Sequence, residues 1–401
     1  MGFRMLYIVP FFPYPAHGGG RLRVSNLIAR LSRRNEIHLV ALTLSAEDRS
    51  RASQAMALDF CASVEAVPHR RSKLGAALRT IVGGQPYEIS RTWNSEMRRR
   101  VDAALAAVQP DVVMCSRLAG AQYWPRFAGA LSILDQHDLS RYLWETTIAA
   151  APQWWVRLFS KLNQQLVVRY ENEVYRRFDA CVSVSERERD LTSTFAPPEM
   201  QLLVAPNGVD TEYFKPQPDR PVESTSVVMS GTMSERRNVD GAVWFCTEIL
   251  PALRDRFPSL TFRIVGRDPV PAVRRLGTQE GVVVTGSVPD VRPYLASAAV
   301  VVAPYRFGSG VKHKIPIAMC MGKAIVATNN SCQGLPAQNN SHLLIADRPA
   351  EFAEAVERLL TDSGLRDELG RNARSLVLAR YNWDDIAAGL EEAFSESLRL
   401  H

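Results

Sequence analysis

Residues 5–31 read MLYIVPFFPYPAHGGGRLRVSNLIARL. A short apolar run, MLYIV (5–9), breaks at prolines and meets three glycines, Gly18, Gly19 and Gly20. A helical stretch over 21–34 comes next. Strand, glycine turn and helix in that order form the opening of a parallel α/β unit. Three glycines let the backbone approach a ligand closely, and the helix N-terminus adds partial positive charge. The place of the turn, directly after the first strand, favours a ligand role over a plain flexible connection. It is not a GxGxxG dinucleotide fingerprint, because Arg21 and Arg23 stand in the pattern, and no GK[ST] follows to make a P-loop. The apolar run is too broken to be a signal peptide, so it reads as a first strand plus loop.

The alternation continues outward. In the first half, strands are expected at IHLVAL (37–42), DVVMC (111–115), LSILD (131–135) and ACVSVS (180–185). Helices are expected at 95–107 and, interrupted near Pro152, over 139–178. The stretch APNGVDTEYFKPQPDRPVEST (205–225) has four prolines and an Asn-Gly turn and reads as a linker. Strands resume at SVVMSG (226–231), LTFRIVG (260–266), GVVVTG (281–286), AVVVAP (299–304) and AIVAT (324–328), and helices fill 350–398. A chain of 401 residues suits two domains of roughly 200 residues. Two doubly wound, Rossmann-like α/β sheets are therefore expected to face each other across a cleft, with ligands beyond the carboxyl ends of the strands.

Bulk properties narrow the function. Residues 1–200 hold 26 Lys/Arg against 19 Asp/Glu, and residues 201–401 hold 22 against 23. The basic first half suits a phosphorylated partner or an anionic membrane as well as it suits a solvated surface. No nucleic-acid motif accompanies the charge. Six scattered cysteines without a CxxC pair favour buried thiols in a reducing cytoplasm. No run reaches the ~18 apolar residues that span a bilayer. The stretches RRSKLGAALR (70–79) and WWVRLFSKLNQQLVVRY (154–170) could lie on a membrane surface, but core packing with a polar outer face is the expectation.

Other stretches carry chemistry. In LDQHDLSRYLWE (134–145), His137 and Asp138 sit just past a strand. The histidine could be a base, an orienter or a hydroxyl partner, or equally a buried residue donating to a carbonyl. In SGTMSERRNVDGAVWF (230–245), Arg236 and Arg237 can grip a diphosphate or remain solvated. In GSGVKHKIPIAMCMG (308–322), a glycine turn with Lys312 opens an apolar helix, again a phosphate-type loop. No DxD pair is present, so no metal held by such a motif is expected.

Taken in order, PYPAHGGGRLRVSNLIARL, APNGVD, GTMSERRNVDGAVWF, FRIVGRDP, VTGSVPDVRPYLASAAVVVAP and GSGVKHKIPIAMCMGKAIVATNNSCQGL resemble a family 4 glycosyltransferase of the GT-B fold. The resemblance covers nearly the whole chain. It implies a cytoplasmic, metal-independent enzyme that moves a sugar, with retention, from a UDP-, GDP- or dTDP-linked donor to a hydroxyl acceptor, with no further cofactor. It implies an acceptor-side domain over 1–208, completed by a helix near 383–401, and a donor domain over 209–382. By matching position, Gly18, Gly19, Gly20, Arg237, Ser309, Gly310 and Lys312 would meet the donor diphosphate. His137 and Asp138 would lie by the transferred sugar. Gly231, Thr232, Gly266, Ser287, Val288 and Ile317 would line the base and ribose. The acceptor would be a lipid-linked or polysaccharide intermediate or a natural-product scaffold, with Trp144, Trp154 and Trp155 as aromatic contacts. Peripheral membrane contact through the basic half fits the first of these.

Three positions depart from the family pattern. Two glutamates usually stand eight apart where this chain has Ser309 and Ile317, and Thr232 replaces an arginine. A carboxylate accepts from both ribose hydroxyls and isoleucine from neither. The alternative implied is a catalytically silent GT-B protein with a binding or partner-subunit role.

Overall fold

The computed structural model describes residues 2–14, 16, 18–44, 46, 48–49, 61–70, 72–125, 129–142, 153–308 and 310–400. The chain forms two compact units, Met1–Asn207 with Trp383–His401, and Gly208–Asn382.

Unit 1 holds a seven-stranded parallel sheet. Its strands are β1 (Arg4–Val9), β2 (Glu36–Thr43), β3 (Ser63–Pro68), β4 (Val112–Ser116), β5 (Leu131–Asp135), β6 (Ala180–Ser183) and β7 (Gln201–Val204), in the order 3-2-1-4-5-6-7. Side chains alternate across a strand, so β1 feeds two cores. Met5, Tyr7 and Val9 enter one, Leu6 and Ile8 the other. The helix Gly19–Leu31 closes the first core with Val24, Leu27, Ile28 and Leu31. The helix Trp383–Leu400 adds Trp383, Ile386, Leu390 and Phe394 to that same core. Helix Ser95–Val108 closes the second core with Met97, Val101 and Leu105. The central β4 and β5 are buried throughout, which explains the largely apolar make-up of β4, VVMCS, and of β5, LSILD, whose Ser132 and Asp135 are polar.

Unit 2 repeats the plan with β8 (Glu223–Ser230), β9 (Thr261–Val265), β10 (Val282–Gly286), β11 (Ala298–Ala303), β12 (Ile325–Ala327) and β13 (Leu344–Ile345). These strands pair in the order 10-9-8-11-12-13, all parallel. In each sheet the strand order reverses at one place, between β1 and β4 and between β8 and β11. Ligands in such sheets sit beyond the carboxyl ends of the strands at that reversal.

The structure corrects the sequence reading in several places. Strands β3, β7 and β13 were not expected. β3 and β7 are half-exposed edges, Glu65 interrupts the apolar run of the first, the second has only three apolar residues, and β13 is two residues long. The stretch 205–225 is not a free linker. The chain crosses between units at Asn207 and Gly208, and residues 208–225 belong to unit 2. There Val209 N–H donates to the Tyr381 carbonyl at 2.7 Å, Phe214 packs on the core, and β8 begins at Glu223. The helical region expected over 139–178 is a helix at Trp154–Tyr175, with 143–152, and so Trp144, outside the described residues. Residue 17 of the glycine stretch and Ser309 also lie outside them.

The two basic stretches depart from expectation most. The helix Lys73–Gly83 buries Ala76 and Thr80 and turns Leu74, Leu78, Ile81 and Val82 outward. The helix Trp154–Tyr175 buries Ser160, Asn163 and Val167 and exposes Trp154, Trp155, Leu158 and Leu162. Their outer faces carry these apolar side chains beside the expected polar ones. All six cysteines are free thiols.

Candidate functional site: two glycine-lined strand ends

In unit 1 the loop after β1 ends at Gly18, whose φ of 91° lies in the region that suits glycine. Gly19 and Gly20 begin the next helix. Beneath Gly20 stand the residues that end β4 and β5. A β-carbon added at Gly20 would lie 3.1 Å from Arg117 Nη2 and 3.2 Å from His137 Nδ1. The glycine therefore lets its helix settle against these two groups.

His137 is buried and held at both ring nitrogens. Nε2 lies 3.0 Å from Asp135 Oδ2 and 3.1 Å from Ser116 Oγ, and Nδ1 accepts from Arg117 Nε at 3.3 Å. This pattern assigns the proton to Nε2. Burial pushes the imidazole pKa down, and Arg117 and Arg23 push the same way, against the pull of Asp135. The ring is thus a neutral, fixed group whose lone pair already serves Arg117. Arg117 itself has a φ of 60°, uncommon for a residue with a β-carbon, at the carboxyl end of the reversal strand β4. Its guanidinium lies 3.8 Å from Asp138, which is half-buried.

Asp135 anchors the cluster. It is fully buried at the end of β5 and accepts from Arg23 Nε at 2.7 Å and from the Tyr7 hydroxyl at 2.7 Å. Burial alone would raise its pKa, but Arg23 and His137 hold it well below the usual carboxylate range. Arg23 is equally buried, and its Nη1 donates to the Ala205 carbonyl at 2.7 Å and Asn207 Oδ1 at 3.3 Å. The glycine turn, two strand ends and the last residues of the unit's first segment are thereby tied together.

A cavity of about 350 Å³ opens elsewhere in this unit, lined in part by Arg79, Ser90, Trp93, Gln122, Tyr170 and Arg177. Trp93 stacks on Tyr123, with ring centroids 5.7 Å apart.

In unit 2 the ends of β8 and β9 touch backbone to backbone. A β-carbon on Gly266 would fall 1.6 Å from the Gly231 carbonyl oxygen, so no other residue fits there. Gly266 N–H donates to Gly286 at 3.2 Å, which brings the β10 loop alongside, with Ser287 exposed and Val288 half-buried. The Thr232 carbonyl accepts from the buried Asn238 amide at 2.9 Å, so the loop is fixed to the next helix. Arg237 is partly exposed, pairs with Glu235 at 3.1 Å and lies beside Gly308. The ammonium of Lys312, in contrast, is buried and donates to the carbonyls of Gly308 at 2.8 Å and Gly310 at 2.7 Å. It shapes the loop, in which Gly310 has a φ of 76°.

Lys314, two residues on, runs beside Gly231. Its Cε would lie 3.4 Å from a β-carbon on Gly231. Burial pushes its pKa down against the pull of Glu235, with Arg237 and Arg267 in electrostatic reach. Ile317 is half-buried and packs against the core of the unit. His313 donates from Nε2 to the Gly208 carbonyl at 2.7 Å. Among the described residues, no group of three or more His, Cys, Asp or Glu is placed to hold a metal.

Sequence reasoning named the glycines, His137, Asp138 and Arg237, and missed Arg23, Asp135, Ser116, Arg117 and Lys314. A signal existed for two of them. Arg23 interrupts the buried stripe of its helix, and Asp135 is the one charge in a fully buried strand. Each is a charge where an apolar residue belongs, which demands a buried partner.

Two parallel sheets of reversing order, each with glycines at its reversal strand and cations or a buried histidine cluster behind them, define a GT-B protein of two Rossmann-like units. Comparison with known proteins places it further. Residues 17–213 match the family model Glycosyltransferase Family 4, and residues 224–362 match Glycosyl transferases group 1. The chain belongs to these glycosyltransferases. It is 28% identical over 238 residues to a GDP-mannose-dependent alpha-(1-6)-phosphatidylinositol monomannoside mannosyltransferase of Mycobacterium tuberculosis, matching 53% of this chain and 61% of that protein. It is 24% identical over 225 residues to one component of the human phosphatidylinositol N-acetylglucosaminyltransferase, matching 53% of this chain and 45% of that one. The chain thus spans about half the length of the curated relatives it matches. Among solved structures, sucrose-phosphate synthase from Thermosynechococcus elongatus superposes with a TM-score of 0.71 at 16% identity, covering 99% and 100% of the two chains. Anabaena HepE in complex with UDP gives 0.66 at 16% identity, covering 98% and 100%.

Proposed function

We propose that the chain transfers a sugar, with retention, from a nucleotide-diphosphate sugar to a hydroxyl acceptor without a metal ion. The observation that carries this reading is the strand-end cluster of unit 2. There the Gly231–Gly266 contact packs the strand ends tightly and sets Gly286 beside them, with open space where a β-carbon would stand, and Arg237, Lys314 and Arg267 are gathered close by. Fixed cations beside exposed backbone offset the charge that develops on a departing diphosphate. In the reaction, the bond from the anomeric carbon to the phosphate oxygen breaks. The acceptor oxygen attacks from the same face, and its proton passes to the departing phosphate oxygen. No protein nucleophile is needed. That agrees with a His137 whose two nitrogens are already engaged and whose part is to orient Arg117 and the glycine turn.

Unit 2 is the donor side in this reading and unit 1 the acceptor side, with Asp138 and Arg117 nearest the transferred sugar. The donor is UDP-, GDP- or dTDP-linked. HepE structures hold UDP and UDP-glucose, and the mycobacterial relative is named for GDP-mannose. Both curated relatives are named for phosphatidylinositol acceptors, which supports a lipid-linked acceptor, and the 350 Å³ cavity of unit 1 offers it a seat. Titration calorimetry with UDP, GDP, dTDP and their glucose or mannose conjugates tests the reading. Binding of one nucleotide series, weakened by Lys314→Ala, is expected, and silence toward all of them would overturn it. Ile317, apolar where a ribose-binding acid usually stands, favours a second reading as a silent partner protein. Turnover by the purified chain, abolished by Arg237→Ala with Lys314→Ala, would dispose of that.

A further inference from the structure

We infer that unit 1 docks on an anionic bilayer surface through the helices Lys73–Gly83 and Trp154–Tyr175. Both helices are amphipathic in the reverse sense. Leu74, Leu78, Ile81 and Val82 fall at spacings of four, three and one, which is a single helical stripe. That stripe faces away from the buried Ala76 and Thr80, with Leu74 86% and Val82 78% exposed. Trp154, Trp155, Leu158 and Leu162 form the matching stripe on the second helix, opposite Ser160, Asn163 and Val167, with Trp154 77% and Trp155 56% exposed. Eight large apolar side chains left in water on two helices are not the scattered surface residues every protein carries.

The two helices are linked through the short helix Tyr87–Thr92, which packs on the first. Tyr87, just beyond the first, donates from its backbone N–H to Asn163 of the second at 2.6 Å, and its ring meets Phe159 edge-on at 5.8 Å. The charge around the stripes selects the occupant. Residues 69–87 and 153–170 hold seven Lys/Arg and no Asp or Glu. Of these, Arg70, Lys73, Arg79, Arg157, Lys161 and Arg169 are exposed. A second copy of the same face would bring like charges together. An anionic lipid surface complements them, and paired tryptophans beside basic residues suit the headgroup level of a bilayer. Among the described residues no helix is long and apolar enough to cross a membrane, so the contact is peripheral. Arg79 also lines the 350 Å³ cavity, so a lipid headgroup at this surface would meet its rim. That link to an acceptor rests on the transferase reading, whereas the docking itself does not.

Flotation of the full chain with vesicles of phosphatidylcholine alone, or with 30 mol% phosphatidylglycerol (a chosen assay condition, on the order of natural anionic content), tests this without any turnover. Binding to the anionic vesicles, weakened by salt, and little to the neutral ones is expected. Leu78→Glu with Ile81→Glu, and separately Trp154→Ala with Trp155→Ala, should each weaken partitioning at least about tenfold. Their circular dichroism and melting should match the parent. Brominated lipid should quench tryptophan fluorescence, and Trp154→Phe with Trp155→Phe should lose that quenching. Equal binding by the charged variants, no binding by the parent, or dimers in sedimentation that these substitutions dissolve would overturn the inference. Nucleotide binding measured on the same variants separates this outcome from failure of the transferase reading.

Discussion

Replacing Asp135 by asparagine changes almost no volume and removes one buried charge. The native carboxylate meets Arg23 through two 2.7 Å contacts at Oδ1, and meets Tyr7 at 2.7 Å and His137 at 3.0 Å at Oδ2. Arg23 and Asp135 are both 0% exposed. In Asp135→Asn the amide oxygen can face only one side. If it faces Arg23, the NH₂ group meets His137 Nε2–H, and the ring must shift its proton to Nδ1. That nitrogen now accepts from Arg117 Nε, so the shift sets two donors against each other. Either way Arg23 loses its counter-charge in a dry site. Removing one partner of a buried pair costs about 3–5 kcal/mol. For a unit of this size, each kcal/mol lowers the melting temperature by about 2–4 °C, so a fall of roughly 6–20 °C is expected. Calorimetry with circular dichroism measures it. Asp135→Asn combined with Arg23→Met should fall short of the summed single losses, because no charge is then stranded. A loss under about 1 kcal/mol, or strict additivity, would refute the idea that this pair organises the strand ends.

Glu188 is largely buried beside Asp138, and its pKa is raised from 4.5 to about 7, chiefly by burial. Its folded pKa lies above its unfolded one, so its contribution is complete below pH 4.5 and lost as pH rises through 7. Glu188→Gln should therefore stabilise unit 1 at about pH 8 by on the order of 2–3 kcal/mol and change little at about pH 4, as read from urea melts at both pH values. Gly266→Ala should destabilise unit 2 by at least about 2 kcal/mol, because the added carbon overlaps the Gly231 carbonyl; a melt like the parent's would contradict so close an approach. Ile317→Glu restores a carboxylate and should tighten donor binding roughly 10- to 150-fold with the fold intact. Unchanged affinity by calorimetry would mean that this helix does not face the nucleotide. Arg117→Gly relieves a left-handed residue and should leave melting within about 3 °C, while lowering kcat at least about tenfold if Arg117 orients the sugar.

Much of this was legible in the sequence, for identifiable reasons. Buried parallel strands such as β4 and β11 read as apolar runs, and glycines mark the turns after β1, β8 and β9. The hidden features depend on partners far along the chain. Nothing local to Arg23 says that its partner lies 112 residues away at Asp135. Lys312 and Lys314 sit two residues apart in one basic loop. Only the loop's path sends the first ammonium to its own carbonyls and the second side chain past Gly231. The outward apolar stripes were misread for a related reason. Periodicity reveals that a helix has two faces but not which one the core takes, and the polar Ser160 and Asn163 here lie inward.

The helix Trp383–Leu400 closes the core of a unit whose sheet is complete by Val204. A ribosome must therefore make all of Gly208–Asn382 before this core can be completed. At about 5–20 residues per second, that takes roughly 9–35 s. During that interval Val24, Leu27, Ile28 and Leu31 wait without Trp383 and Phe394, while unit 2, continuous in sequence, can fold at once. The order of synthesis thus leaves the first-begun unit the last to be completed.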